Sequence, residues 1–142
     1  MNELLELSDL YSIAEAKAIK VDCFSLDRFQ SLSIQDSAGR YYIGIDPMQL
    51  ESVAEEKVKL AHELGHCITG SFYNKDSPLD VRTKHEHRAN RWAVQKIVPK
   101  VKLEAFLKEG LERWELAEQF NVTESFIELA IRMYYEYGIE ET

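Results

Sequence analysis

Cysteines, basic residues and long apolar runs are all scarce in this sequence. Its two cysteines, Cys23 and Cys67, are far apart and form neither a disulfide framework nor a paired set of metal-binding thiols. No apolar run approaches the roughly 18 residues that a transmembrane helix needs. We therefore expect a cytoplasmic protein with no membrane span or membrane partner, in which Cys67 is a small buried residue rather than a ligand.

Basic residues are also missing where they would carry a targeting or binding function. Residues 1–6 are acidic and amphipathic, so we expect no signal peptide, which would begin with basic residues and an apolar stretch. Over the whole chain 17 lysines and arginines face 25 aspartates and glutamates, which gives a net charge of −8. Because phosphate binding needs a basic surface, this balance argues against nucleic acid as the main partner.

One short motif gives the clearest indication of chemistry. His62-Glu63-Leu64-Gly65-His66 has the pattern H-E-x-x-H within a segment that has a helical period. Residues four apart share a helix face, so His62 and His66 can reach one metal ion, with Glu63 beside them to take a proton from water. This is the zincin signature and predicts metal-assisted peptide hydrolysis. The alternative is an amphipathic helix with two surface histidines.

The periodicity of the apolar residues predicts an α+β fold, zincin-like, with a small antiparallel sheet. Asp46-Pro47 favours a helical start. Ser52 and Glu55 have the capping-box spacing, and Gly70 is a helix stop. The predicted elements are an N-terminal helix at 3–19, a strand at 21–24, a hairpin with strands 32–34 and 41–45 around the turn 36–39, a motif helix at 52–69, a loop at 70–79, a helix at 81–97, and two or three helices within 100–137.

The chain has no internal repeat or recognisable linker, and its 142 residues fit one domain. We predict a single metallopeptidase domain over 1–142, with a catalytic core at 1–99 and a C-terminal helical segment at 100–142. Residues 116–132 resemble a helix-turn-helix, with Thr123 as a helix N-cap. Residues 111–142 contain two arginines and eight glutamates, so a structural role for this segment is favoured over DNA binding.

A catalytic zinc takes three protein ligands, so one more is needed. The candidates are His85, Glu86 and His87. A helix places Ala89 and Ala93 on the face of Glu86, and these small residues would allow a close approach to the motif helix. Glu86 is the first choice on that ground, while the two histidines stay open as ligands.

The second motif also carries a family resemblance. Glu86-His87-Arg88-Ala89-Asn90-Arg91-Trp92-Ala93, followed by Pro99, resembles the helix that follows H-E-x-x-H in ImmA/IrrE metallopeptidases, which reads E-x-x-A-N-x-aromatic-A. Trp92 stands where that family more often has phenylalanine. The resemblance extends from the predicted hairpin through the C-terminal helices. It implies that Glu86 is the third ligand of a Zn²⁺ ion.

The expected chemistry assigns further roles. Zinc would lower the pKa of a bound water from about 15.7 towards ~7, and Glu63 would act as general base and then general acid. Asn90 either orients a histidine or braces the two helices. A donor to the oxyanion could come from four residues, and the sequence does not choose among them: Tyr73, His85, His87 and Arg88.

The leading prediction is thus a cytoplasmic zinc endopeptidase. By the resemblance, its substrate would be a regulatory protein, such as a phage or mobile-element helix-turn-helix repressor. Two other functions are weighed against it. One is a zinc-binding regulatory module without turnover, and the other is a DNA-binding regulator that uses residues 116–132.

Overall fold

The computed structural model of the chain describes residues 4–74 and 76–139. It contains the following elements within those ranges: α1 (Leu7–Ala16), β1 (Lys20–Cys23), β2 (Ser31–Gln35), β3 (Tyr41–Ile45), a 3₁₀ turn (Pro47–Gln49), α2 (Val53–Thr69), α3 (Leu79–Ile97), α4 (Lys100–Lys108), α5 (Arg113–Phe120) and α6 (Glu124–Tyr135). The predicted α+β class is confirmed.

The predicted boundaries differ from the observed ones by a few residues in most elements. The first helix begins at Leu7, and its predicted start at residue 3 lies outside the described residues, as do residue 75 of the predicted loop and the last three residues of the chain. Helix α3 begins at Leu79, two residues before the prediction. Every described helix is too short or too polar to cross a bilayer.

The sheet has three strands in the order β1-β3-β2. Strands β2 and β3 form the predicted antiparallel hairpin, in which Asp36 Oδ1 accepts hydrogen bonds from the backbone N–H groups of Ala38 and Arg40. Strand β1, however, pairs with β3 in parallel. The sheet is therefore mixed, and the expectation of an antiparallel sheet was wrong for this pair, because the direction of a non-adjacent strand has no local signal in the sequence.

Helix α2 lies at the centre of the fold and begins and ends at the residues that the sequence indicates. The Ser52 hydroxyl accepts a hydrogen bond from the backbone N–H of Glu55 at 3.1 Å. Gly70 ends the helix in the left-handed conformation, with φ of 66°. The helix packs against α1, α3 and the sheet, so its position is determined from several sides.

Helices α2 and α3 approach so closely that no side chain fits between them at one point. A Cβ atom on Gly65 would lie 2.4 Å from the backbone oxygen of Ala89. Ala89 and Ala93 are both fully buried, which confirms that they form the small-residue face predicted for α3. The Gly65–Ala89 contact thus fixes the distance between the two helices that carry the motifs.

The C-terminal helices belong to the same core as α2. The hydrophobic core includes these side chains from the C-terminal segment: Leu103, Leu116, Phe120, Val122, Phe126, Ile127, Ala130 and Met133. Beneath them Lys57 of α2 is 1% exposed, and its Nζ donates to the backbone oxygen of Phe120 at 2.5 Å. Asn121 in the left-handed conformation and the Thr123 N-cap connect α5 to α6. The helix-turn-helix-like pair thus contacts α3 through α6 and is bonded to α2 through Lys57.

Candidate metal centre

Three side chains from the two facing helices converge on one point. His62 Nε2 lies 3.0 Å from Glu86 Oε1, and His66 Nε2 lies 3.0 Å from Glu86 Oε2. The two Nε2 atoms are 3.2 Å apart. Within the described residues this is the group of histidine, cysteine and acidic side chains that could hold a metal ion. The histidines lie one turn apart on α2, and Glu86 reaches them from α3.

The other ring nitrogen of each histidine is held by an oxygen acceptor. His62 Nδ1 donates to Asn90 Oδ1 at 2.8 Å, and His66 Nδ1 donates to the backbone oxygen of Ser71 at 2.5 Å. When the rings are neutral, a proton on Nδ1 leaves Nε2 bare. Both Nε2 lone pairs therefore point at the carboxylate of Glu86, an arrangement that needs a cation or a proton between them.

The donor set fits zinc. Two neutral imidazoles and one carboxylate form a common set of ligands at catalytic zinc sites. Zinc bonds of about 2.0–2.1 Å in a tetrahedron place neighbouring ligand atoms about 3.3 Å apart. The observed separations of 3.0, 3.0 and 3.2 Å are close to that value. His62, His66 and Glu86 could therefore hold a zinc ion as a set of three ligands.

The carboxylate of Glu86 is strongly held in its charged form. Burial raises its pKa, but hydrogen bonds donated by His62 and His66 when their Nε2 atoms are protonated lower it by more, so the net pKa is well below the usual range. Tyr73 adds to this effect, since its hydroxyl donates to Glu86 Oε2 at 2.9 Å. An anionic ligand is thereby present at neutral pH, as metal binding requires.

Glu63 lies next to the cluster and is buried, with 6% of its surface exposed. Its Oε2 accepts a hydrogen bond from the Ser31 hydroxyl at 2.7 Å. Ser31 is the first residue of β2, so the sheet holds the carboxylate in place. Glu63 and His62 also line a cavity of about 680 Å³. A water or peptide in that cavity can reach both the carboxylate and the metal-binding face.

Comparison with known families agrees with this geometry. The model of Peptidase_M78, described as the IrrE N-terminal-like domain, matches residues 14–132. The chain belongs to that family. It is a peptidase family, and the His62–His66–Glu86 cluster gives this IrrE N-terminal-like chain a site that could bind the metal of a metallopeptidase. Neither a curated protein nor a solved structure matches the chain.

The other residues proposed from the sequence lie outside the metal cluster of this IrrE N-terminal-like domain. The ring of His85 stacks on Tyr73, with centroids 6.1 Å apart, and that of His87 packs edge-on against Tyr137. Arg88 is exposed beside a shallow groove that Trp92 also lines. Tyr73 contacts the cluster through Glu86.

Cys67 follows His66 in the sequence but is not a candidate ligand. It is buried in the core, and burial raises the pKa of its thiol to about 12. A neutral thiol is a poor metal ligand. The structure agrees with the prediction that Cys67 is a small buried residue.

Sequence reasoning missed two contacts that define the site. Ser31 lies 32 positions before Glu63, and a serine at the start of a strand has no distinguishing pattern. Ser71 contributes its backbone oxygen, which side-chain identity cannot reveal. The signal for Ser71 is positional, because Gly70 ends α2 with a tight turn that brings the next carbonyl back towards His66.

Proposed function

We propose that this chain is a zinc-dependent endopeptidase that cleaves a regulatory protein. The observation that carries the proposal is the position of Glu63, whose buried side chain lines the same cavity as His62 of the three-residue cluster. A purely structural zinc site has four protein ligands and no neighbouring base. Here three ligands and a general base share one accessible site.

Each residue of the site has a separate role in the proposed reaction. Bound zinc would polarise the scissile carbonyl and make water more acidic. Glu63 accepts the proton of the attacking water and passes it to the leaving amine. Ser31 holds the Glu63 carboxylate through its hydroxyl. In the neutral rings, Asn90 and the Ser71 carbonyl hold the proton on Nδ1 and orient each Nε2 towards the metal position.

The kind of regulatory protein that we propose as the substrate is inferred from the resemblance to ImmA/IrrE peptidases. It is carried by the H-E-x-x-H motif of α2 and by Glu86-x-x-Ala89-Asn90 on α3. We propose a helix-turn-helix repressor of a phage or mobile element as the substrate, with the cytoplasm as the place of action. The net charge of −8 supports a protein rather than a nucleic acid as the partner.

The test is cleavage of a candidate repressor encoded beside the gene for this protein. Wild-type protein loaded with zinc is expected to cut it, and mass spectrometry identifies the site. The Glu63→Gln variant is expected to keep its zinc but to cleave about 10²–10⁴-fold more slowly, because the general base is lost. Undiminished cleavage by Glu63→Gln would refute the assigned mechanism.

Metal analysis tests the ligands independently of cleavage. Glu86→Ala is expected to lose zinc, because the two histidines alone leave the site one ligand short. Unchanged zinc content would show that Glu86 is not a ligand. Zinc retention without cleavage of any repressor would instead favour a binding module.

A further inference from the structure

We infer that the cavity beside Glu63 is a specificity pocket for an extended peptide that carries a large apolar side chain and, about two residues from the scissile bond, an acidic residue. This inference deepens the proposed endopeptidase function and rests on it. The cavity is large, is lined by apolar side chains and by two cations that form no ion pair with a described residue, and has one wall held by hydrogen bonds.

The cavity has the volume and the floor of a side-chain pocket. Its volume of about 680 Å³ lies within the range of roughly 300–1,000 Å³ that is typical of ligand sites. Val58 of α2 and Phe126 and Leu129 of α6 supply apolar surface to its lining. Burying a large apolar side chain there removes its surface from water, which favours such a residue over a polar one.

Two cations line the same cavity. Neither Arg28 nor Lys59 forms an ion pair with another described residue of the chain. Both are therefore available to a charged group of a bound peptide, although the chain as a whole has a net charge of −8. They complement a carboxylate on the bound peptide, and they would repel a lysine or arginine there.

The distance of Lys59 from the reaction centre sets the position of that carboxylate. Lys59 precedes Glu63 by four residues, which places it one turn earlier on the same face of α2. Four residues correspond to about 6 Å along the helix, or about two residues of an extended peptide. The acidic residue is therefore expected about two positions from the bond that is cut.

One wall of the pocket is held rigid by hydrogen bonds. Asp46 accepts from the backbone N–H of Leu26, and Gln30 accepts through its backbone oxygen from the N–H of Asp46. The side-chain nitrogen of Gln49 donates to the backbone oxygen of Phe29 at 2.9 Å. These bonds fix the segment that carries Arg28. A pre-shaped wall loses little entropy when peptide binds, which favours selective binding.

Peptide selection on an inactive protein tests the pocket without relying on turnover. Zinc-loaded Glu63→Gln protein is used to select from random dodecapeptides displayed on phage. The selected sequences are expected to share a large apolar residue with an acidic residue about two positions away. Selection that yields no such enrichment, or no binders at all, would overturn the inference.

Charge reversal then identifies the residues responsible. In the Glu63→Gln background, Arg28→Glu with Lys59→Glu is expected to weaken binding of a selected acidic peptide by at least about tenfold, because attraction becomes repulsion. The matched control, Lys17→Glu with Lys108→Glu, changes the net charge equally at exposed sites and should leave binding unchanged. Equal loss in both variants would refute a local role for the rim cations.

A third variant tests the apolar floor. Leu129→Trp narrows the cavity and is expected to shift selection towards smaller side chains, with circular dichroism used to verify folding. Cleavage of the selected peptides by wild-type protein separates the two proposals. Binding with the expected profile but without cleavage would contradict the peptidase and leave the pocket standing, whereas cleavage without the profile would contradict the pocket alone.

Discussion

Asn90 shows how one polar side chain fixes the orientation of a histidine in the candidate metal site. Its Oδ1 accepts from His62 Nδ1, so replacement by leucine removes the group that fixes the ring. Asn90→Leu is expected to weaken zinc binding about 10–100-fold, as loss of such hydrogen bonds to ligands does. Competition with a chromophoric chelator measures the change. Asn90→Asp keeps an oxygen acceptor and should bind zinc more tightly than Asn90→Leu, and equal affinities for the two would contradict this role.

Ser31 offers a test of how Glu63 is positioned. Ser31→Ala removes the hydroxyl that donates to Glu63 and is expected to lower kcat about tenfold on a cleaved peptide, with zinc content unchanged, since precise placement of a base carries part of its effect. Ser31→Thr, which keeps the hydroxyl, should restore part of the rate. Ser33→Ala removes a hydroxyl from the same strand. If it slows the reaction equally, the effect belongs to the strand rather than to Ser31.

The protonation of His66 makes stability depend on pH in opposite ways with and without metal. Burial lowers the pKa of His66, but contacts with Glu86 and the Ser71 carbonyl raise it to a net value above its ordinary 6.5. A pKa that is higher in the folded than in the unfolded state stabilises the fold, and this stabilisation is fully present when the pH is below the pKa of the unfolded state. It is lost as the pH rises through the pKa of the folded state. Zinc needs neutral histidines, so its stabilisation grows with pH.

Thermal denaturation by circular dichroism between about pH 6 and pH 8 measures this contrast. With chelator present, the His66 contribution is expected to fall as the pH rises, and with zinc present stability should increase. In Glu86→Gln the anion that raises the pKa of His66 is gone, so the metal-free dependence should flatten. The same dependence in Glu86→Gln and wild type would contradict the assignment.

At the scale of elements, the contact between α2 and α3 sets the distance between the two histidines and Glu86. A methyl group on Gly65 would collide with the backbone of Ala89. Gly65→Ala is expected to cost about 1–3 kcal/mol in the free energy of unfolding, as overpacking does, and to weaken zinc binding by moving Glu86. Gly70→Ala meets no atom within 4 Å but has a positive φ, so it should lower stability and spare zinc affinity.

The elements could be predicted from the sequence where the signal is local. Ser52 marks the start of α2 because its hydroxyl accepts a hydrogen bond from the backbone N–H of Glu55. Gly70 marks the end because glycine readily adopts the left-handed conformation found there. The hairpin was predictable for the same reason, since Asp36 and Gly39 form its turn. The parallel partner of β1 was not, because that pairing depends on the position of a strand about twenty residues away.

The residues of the candidate site could also be predicted only in part. His62, His66 and Glu86 were predictable because helical spacing and two motifs place them together. The hydrogen bonds from Tyr73 and Ser31 were not. They join segments whose relative position is fixed only when α2 packs on the sheet and on α3.

At the scale of the whole molecule, zinc is expected to act as a stabilising ligand. At free zinc 100-fold above its Kd, linkage adds about 2.7 kcal/mol to the free energy of unfolding, or about 8 °C in Tm for a chain of this size. Differential scanning calorimetry with and without chelator measures the shift. Glu86→Ala should lose most of it, whereas His85→Ala and His87→Ala should keep it. Loss of the shift in either histidine variant would make that residue a ligand.

The buried Lys57 of α2 has a consequence for recombination between related genes. Lys57 donates to the backbone oxygen of Phe120, so an ammonium group in one half of the chain depends on an acceptor in the other. A recombination event that replaced residues 100–142 with an unrelated tail would leave that charge in the interior without its acceptor, a costly state. Segments on either side of such a joint can be exchanged between relatives only as a matched pair.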